Sequence, residues 1–250
     1  MLIGVEPGTV LEPPVEVTVF AEKMASSSNS TSHWRSSLDT TRSSFIESTP
    51  RSSLSTSVPL ISAWTLRQPG FHRSEALPKT RDLLLEMHAA GIRAELGDRP
   101  FVLTGLSSGG LVAHQLAQHL CDQGTPPAGV VILDSYSPSQ YERLVRLLPG
   151  LGEEMRHRMD DPNMATPDAN DWITATLHYE KFDWTPTDPP IPVLFVRAGS
   201  PLEGWPPDWE PVWPFDHAAA ITRGNHFTVL EEHDPHTAAL INEWMQTTFD

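Results

Sequence analysis

The chain is 250 residues long, a length that folding as one domain would turn into a large buried core. Seventeen Lys and Arg stand against thirty-two Asp and Glu, a formal charge of −15 that argues against nucleic acid as a partner, because such binding rests on neutralising phosphates. A single cysteine, Cys121, excludes an internal disulfide and a thiolate metal site, so a metal-free intracellular protein is expected.

The start, Met1 to Pro13, has no apolar signal region, and no run reaches the roughly 18 apolar residues of a membrane span. A soluble, cytoplasmic protein without membrane contact is therefore expected. Val17–Phe20 reads as a first strand. Between Ser26 and Ser57, 14 Ser and 5 Thr crowd 32 residues, so this atypical segment (26–57) reads as a loop or disordered insert, with a weak helical pattern only around Phe45–Leu54.

Beyond it, strand-like and helix-like runs alternate. Pro59–Trp64 reads as a strand and Thr80–Gly97 as a helix with apolar residues near helical spacing. Phe101–Thr104 is a buried-type strand, Gly110–Cys121 a helix with Val112, Leu116 and Leu120 four apart, and Gly129–Leu133 another buried strand. Pro192–Val196 and Ala218–Ile221 follow as strands, and Ala238–Met245 as a closing helix. Continuous apolar strands separated by helices predict an α/β fold with a mostly parallel sheet covered on both faces. From 136 to 188 the alternation stops, with helices expected at Tyr141–Leu148 and Asp171–Tyr179. So long an interruption between strands predicts a helical lid inserted into a single domain.

The strand-to-helix boundary carries Gly105-Leu106-Ser107-Ser108-Gly109, a G-x-S-x-G pattern in its proper strand–turn–helix setting. Such a turn exposes a serine hydroxyl above the sheet edge, and the helix that follows offers N–H groups to an oxyanion, that of Ser108 first. Serine needs a base to take its proton and a carboxylate to orient that base. Asp134, at the end of the strand Gly129–Leu133, and His226, in the last loop before the closing helix, supply these in the order Ser, Asp, His. Glu203, after the strand Pro192–Val196, is a rival acid; His88, His114, His119, His157 and His178 read as surface or packing residues, and His233 and His236 as comparators near the closing helix.

From about Pro59 onward the chain resembles the thioesterase domains that end type I polyketide synthases, within the α/β-hydrolase superfamily. The likeness rests on Gln68-Pro69-Gly70-Phe71 with Leu77-Pro78, Arg99-Pro100-Phe101-Val102, Leu133-Asp134-Ser135-Tyr136-Ser137-Pro138, Gly204-Trp205-Pro206 with Trp213-Pro214-Phe215, and Gly224-Asn225-His226-Phe227-Thr228. The resemblance implies an α/β-hydrolase with catalytic Ser107, His226 and Asp134, the acid falling at Asp134 rather than Glu203. It implies release of a polyketide acyl chain from an acyl carrier protein or synthase module, by hydrolysis or macrolactonisation. No cofactor is implied beyond the carrier's phosphopantetheine arm. Tyr136, Trp172, Tyr179 and Trp184 are expected to line the acyl channel, with packing as their alternative role.

Two departures stand out. Leu106 replaces the family's usual His before the nucleophile. The family's first strand ends in a turn that completes the oxyanion hole; Val19-Phe20-Ala21 resembles it and points to Met24 as second donor, yet the serine-rich segment begins at once. Without the family's N-terminal dimerisation helices, dimerisation by that route is not expected, and the chain reads as a discrete protein, an excised domain or a fragment. Carrier domains are acidic, so −15 gives no long-range attraction; Arg143, Arg146, Arg156 and Arg158 offer a local basic patch. A general carboxylesterase or lipase, and a catalytically impaired homologue acting as a binding module, are the alternatives.

Overall fold

The computed structural model describes residues 16–22, 46–48, 61–71, 75–159 and 169–249. Seven strands form one sheet in the order β2-β3-β1-β4-β5-β6-β7. They are β1 (Glu16–Glu22), β2 (Ile46–Ser48), β3 (Ile61–Arg67), β4 (Phe101–Leu106), β5 (Gly129–Leu133), β6 (Val193–Ala198) and β7 (Ala218–Thr222). Among the described residues five α-helices accompany them: α1 (Arg81–Leu96), α2 (Ser108–Asp122), α3 (Tyr141–Met159), α4 (Ala169–Tyr179) and α5 (Asp234–Phe249).

The parallel sheet expected from the sequence is found in β4 to β7, which pair in parallel. Alternation along these strands sorts their side chains. Leu103, Val130, Ile132, Val193 and Phe195 pack with α1 and α2 on one face, while Val102, Val131, Leu133, Leu194 and Val196 pack with Ile241 and Trp244 of α5 on the other. Two apolar faces explain why these strands read as unbroken apolar runs.

The other half pairs antiparallel, within the mostly parallel sheet expected. β1 runs antiparallel to both β3 and β4, and β2 antiparallel to β3. Around Phe45–Leu54, where a helix was weakly expected, the described residues form β2, with Ile46 opposite Leu66 and Ser48 opposite Trp64. Its backbone bonds come from a neighbouring strand, which outweighs a marginal local preference. The remainder of the serine-rich segment lies outside the described residues.

Element ends follow local chemistry. Thr80 caps α1 by accepting from the Leu83 N–H, and Gly97, at φ 58°, ends it. α3 continues past Pro149, where the sequence suggested a stop, to Met159. Leu147, Leu151 and Met155, four residues apart, are all buried. This continuous apolar stripe offsets the single backbone bond that proline removes. No helix among the described residues is long and apolar enough to cross a membrane.

The turn from β4 into α2 is built on close backbone approach. A Cβ on Gly105 would stand 2.1 Å from the Gly109 carbonyl oxygen, and one on Gly110 would stand 2.0 Å from Ser135 Oγ. Gly105→Ala therefore forces backbone against backbone. It is expected to lower stability by about 3 kcal/mol, seen as a reduced urea midpoint.

Two histidines serve the core. His88 is buried in α1 without a hydrogen-bond partner, and His114 of α2 lies against Trp213 and Phe215. Burial pushes both imidazoles from 6.5 down to about 4. Their folded-state pKa is depressed, so stability is full above about 6.5, where the unfolded histidine is also neutral, and is lost as pH falls toward 4. Each histidine contributes a loss of up to about 3 kcal/mol across that window. Urea midpoints at pH 7 and pH 4.5 will show the decline, and His88→Leu will make it shallower.

Candidate active site

Parallel strands β4 and β5 end side by side, Leu106 in register with Leu133. The chain positions that follow them are Ser107 and Asp134. These are the only non-glycine residues with positive φ among those described, at 56° and 40°. Left-handed backbone costs an ordinary residue about 1–3 kcal/mol and persists only where surrounding bonds fix it. Here the bonds are visible. The Ser107 N–H donates to the Leu133 carbonyl at 2.9 Å, and the Asp134 N–H donates to that of Val196 at 2.7 Å.

At Ser107 the strained turn changes what the side chain does. A serine before a helix usually caps it, but Ser107 makes no side-chain capping bond to α2. The first N–H groups of α2, those of Ser108 and Gly109, have no intrahelical acceptors, that of Gly110 donates to the Ser107 carbonyl at 3.0 Å, and together they carry the positive end of the helix dipole beside Ser107. Such an end suits a developing oxyanion.

Asp134 is 1% exposed and accepts at both oxygens. The Ala198 N–H donates to Oδ1 at 2.8 Å, and His226 Nδ1 lies 2.8 Å from Oδ2. A carboxylate acceptor places the imidazole proton on Nδ1 and leaves the lone pair on Nε2, the form a general base requires. His226 is itself 4% exposed, with its ring edge-on to Phe227. The rival acid Glu203 is exposed and lies outside this pairing.

The loop bearing His226 is pinned from both directions. Gly224, at φ 84°, accepts on its carbonyl from Gly199 and Ser200 at the end of β6, at 3.1 and 2.9 Å. Asn225 Oδ1 accepts the N–H groups of Phe227 and Thr228, while Thr228 Oγ1 accepts that of Asn225 at 2.9 Å. This reciprocal arrangement resembles a helix capping box. Asn225, Thr228, Ala198, Ser135 and Gly110 were missed as supporting residues. Only the Asn-x-x-Thr spacing carried a sequence signal, since Ala198 acts through its backbone N–H, Gly110 through its small size, and Ser135 through a hydroxyl bond to the Leu133 carbonyl that forms only in the fold.

The expected second oxyanion donor loses its premise. β1 runs antiparallel to β4 with Ala21 opposite Phe101, so its C-terminal end lies at the sheet edge away from Ser107, about 20 Å along the strand. A strand in that direction leads away from Ser107, and Met24 itself lies outside the described residues.

The expected channel residues are placed unequally. Tyr136 is buried, with its hydroxyl donating to the Trp209 carbonyl; burial, with the Asp134 charge adding to it, pushes its phenol well above the usual range. Tyr179 donates to the Pro69 carbonyl at 2.7 Å, and the half-buried Trp184 donates to that of Tyr179 at 3.0 Å. All three spend their polar ends on backbone, so packing accounts for those ends. Trp172 belongs to α4, and its side chain lies outside the described residues. Tyr179 joins Phe71, Leu151, Met155, Leu202 and Phe227 in an apolar cluster that α3 and α4 share with Leu84 of α1, adjoining His226 through Phe227. The basic patch is partly spent as well: Arg146 pairs with Asp208 at 2.7 Å, and Arg143 donates to the Glu210 carbonyl at 2.6 Å.

Comparison with known proteins agrees with this geometry. The Thioesterase domain family matches residues 51–245. Erythronolide synthase EryA3 of Saccharopolyspora erythraea is 36% identical over 183 residues, covering 71% of this chain and 6% of the synthase. Polyketide synthase GfsE of Streptomyces halstedii is 37% identical over 187 residues, covering 73% and 5% respectively. The chain thus spans only a small fraction of the length of these relatives. In fold it is similar to the crystal structure of the NocB thioesterase domain from the nocardicin cluster, with a TM-score of 0.53 and 21% identity over 72% of this chain and 80% of that one. The chain belongs to the thioesterase domain family.

Proposed function

We propose that this chain releases a polyketide acyl chain from the phosphopantetheine thioester of an acyl carrier protein or synthase module, through an acyl-enzyme on Ser107. The observation that carries this reading is the buried Asp134–His226 hydrogen bond of 2.8 Å at the sheet edge where the β4–α2 turn presents Ser107. Ser107 Oγ attacks the thioester carbonyl as His226 Nε2 takes its proton. The oxyanion is stabilised by the Ser108 N–H and the first turn of α2. The C–S bond then breaks, and His226 returns the proton to the departing thiolate. In the second half-reaction His226 deprotonates water, giving a free acid, or a hydroxyl of the bound acyl chain, giving a lactone. Either nucleophile displaces Ser107.

Asp134 holds the tautomer that makes Nε2 a base and stabilises the imidazolium that forms. The apolar cluster around Phe71, Leu151 and Phe227 suits a hydrocarbon-rich acyl chain. Among the described residues, the first turn of α2 supplies the oxyanion donor, and removing one such donor is expected to cost on the order of 10²–10³ in rate.

Ser107→Ala is expected to abolish both labelling by a fluorophosphonate and formation of an acyl adduct, followed by intact-protein mass spectrometry. Full thioester cleavage by that variant would overturn the assignment. Asp134→Asn is expected to cut kcat on the order of 10³–10⁴-fold with folding retained. Rates on an acyl thioester and its matched oxoester separate thioesterase from carboxylesterase. Products of a hydroxyacyl thioester that differ by one water separate hydrolysis from cyclisation.

A further inference from the structure

The His226 loop leaves β7 at Thr222 and re-enters regular structure at the 3-10 turn Thr228–Leu230. Both of its stems meet one side chain that the mechanism does not use. Thr237, in the first turn of α5, is 1% exposed; its Oγ1 lies 2.7 Å from the Val229 carbonyl oxygen and 2.7 Å from Thr222 Oγ1. Thr222 Oγ1 in turn lies 3.1 Å from His236 Nδ1.

Counting protons gives these contacts a direction. Each threonine hydroxyl carries one proton. The Val229 carbonyl can only accept, so Thr237 spends its proton there. The contact between the hydroxyls then requires the proton of Thr222. Nothing remains for Thr222 to donate to His236, so His236 Nδ1 is the donor, a role open to the Nδ1–H tautomer and the imidazolium alike. The competing arrangement has Nδ1 accepting from the Arg223 N–H at 3.4 Å. That distance is long for such a bond, and with Nδ1 unprotonated the single proton of Thr222 could serve only one of its two contacts, leaving the other without a proton.

We infer that Thr237 is a positioning residue for His226, the centre of a directed chain from His236 through Thr222 and Thr237 to Val229 that clamps both stems of the loop. The clamp reaches the site by two routes. The Val229 N–H donates to the Asn225 carbonyl at 3.2 Å, one residue before His226. The Thr222 carbonyl oxygen lies 2.6 Å from where a Cβ of Gly199 would stand, and Gly199 follows Ala198, whose N–H holds Asp134 Oδ1. One hydroxyl thus fixes the loop relative to the strand end that fixes the carboxylate. This inference rests on the reading of His226 as the base.

Thr237→Val keeps the shape, deletes the hydroxyl and leaves the buried Val229 carbonyl without its donor. In the full chain, kcat on an acyl thioester is expected to fall about 10–100-fold with KM within twofold, the cost of a small misplacement of a catalytic group. The downfield proton resonance of the His226 Nδ1–H bound to Asp134 is expected to shift or broaden. Thr222→Val should act in the same direction, and Thr237→Ser should restore both the rate and the resonance. A folded Thr237→Val with unchanged kcat and unchanged resonance overturns the inference. So does a Thr237→Ser as impaired as the valine variant, because packing rather than the hydroxyl would then matter; this arm decides the question if the valine variants do not fold. The resonance needs no substrate. A wild-type protein inactive on thioesters would therefore sink the thioesterase reading while leaving the clamp tested.

Discussion

The arrangement at the C-terminal edge of the sheet depends on one buried carboxylate. Asp134 sits in a backbone conformation it would not adopt alone, at φ 40°, and its two oxygens draw in the end of β6 and the imidazole of His226. Removing an acceptor from this centre would leave two buried N–H groups facing each other across an empty position, a cost well beyond that of one ordinary hydrogen bond. The same group therefore sets local structure and the tautomer of its partner.

The two halves of the sheet contribute differently. β4 to β7, parallel and covered on both faces, bring Ser107, Asp134, Ala198 and the His226 loop to one edge because parallel strands all end on the same side. β1, antiparallel, completes the sheet while its own C-terminal end points the opposite way. Of the first three strands, only β3, antiparallel to β1, runs in the direction of β4. This half widens the sheet, and the described site residues lie along the parallel half.

How much of this could be read from residues varies with the kind of signal. Strands β4, β5 and β6 were legible because two-sided burial leaves unbroken apolar runs, and the elbow was legible because only small residues tolerate its close contacts. The pairing of Asp134 with His226 was legible as chain order, although spacing alone left Glu203 open. The direction of β1 was not legible: a short apolar run carries no mark of parallel or antiparallel pairing, which depends on partners more than forty residues away. The passage of α3 through Pro149 was hidden for a related reason, since the stripe that overrides the proline finds its contacts only in the folded chain. Tyr136, Tyr179 and Trp184 looked like channel residues by type, and only their backbone acceptors reveal what holds them.

The left-handed residues at 107 and 134 also bear on the order of events during synthesis. Each is held by a bond to the next strand over, Ser107 through Leu133 and Asp134 through Val196 and Ala198. When Ser107 leaves the ribosome, nothing yet exists to stabilise its conformation, and Asp134 must wait a further 64 residues for the amide that fills Oδ1. The imidazole arrives 92 residues after the carboxylate it binds. The bond that holds the turn at Ser107 thus becomes available once β5 has been made, whereas the Asp134 carboxylate gains its two partners, Ala198 and His226, only much later in the sequence.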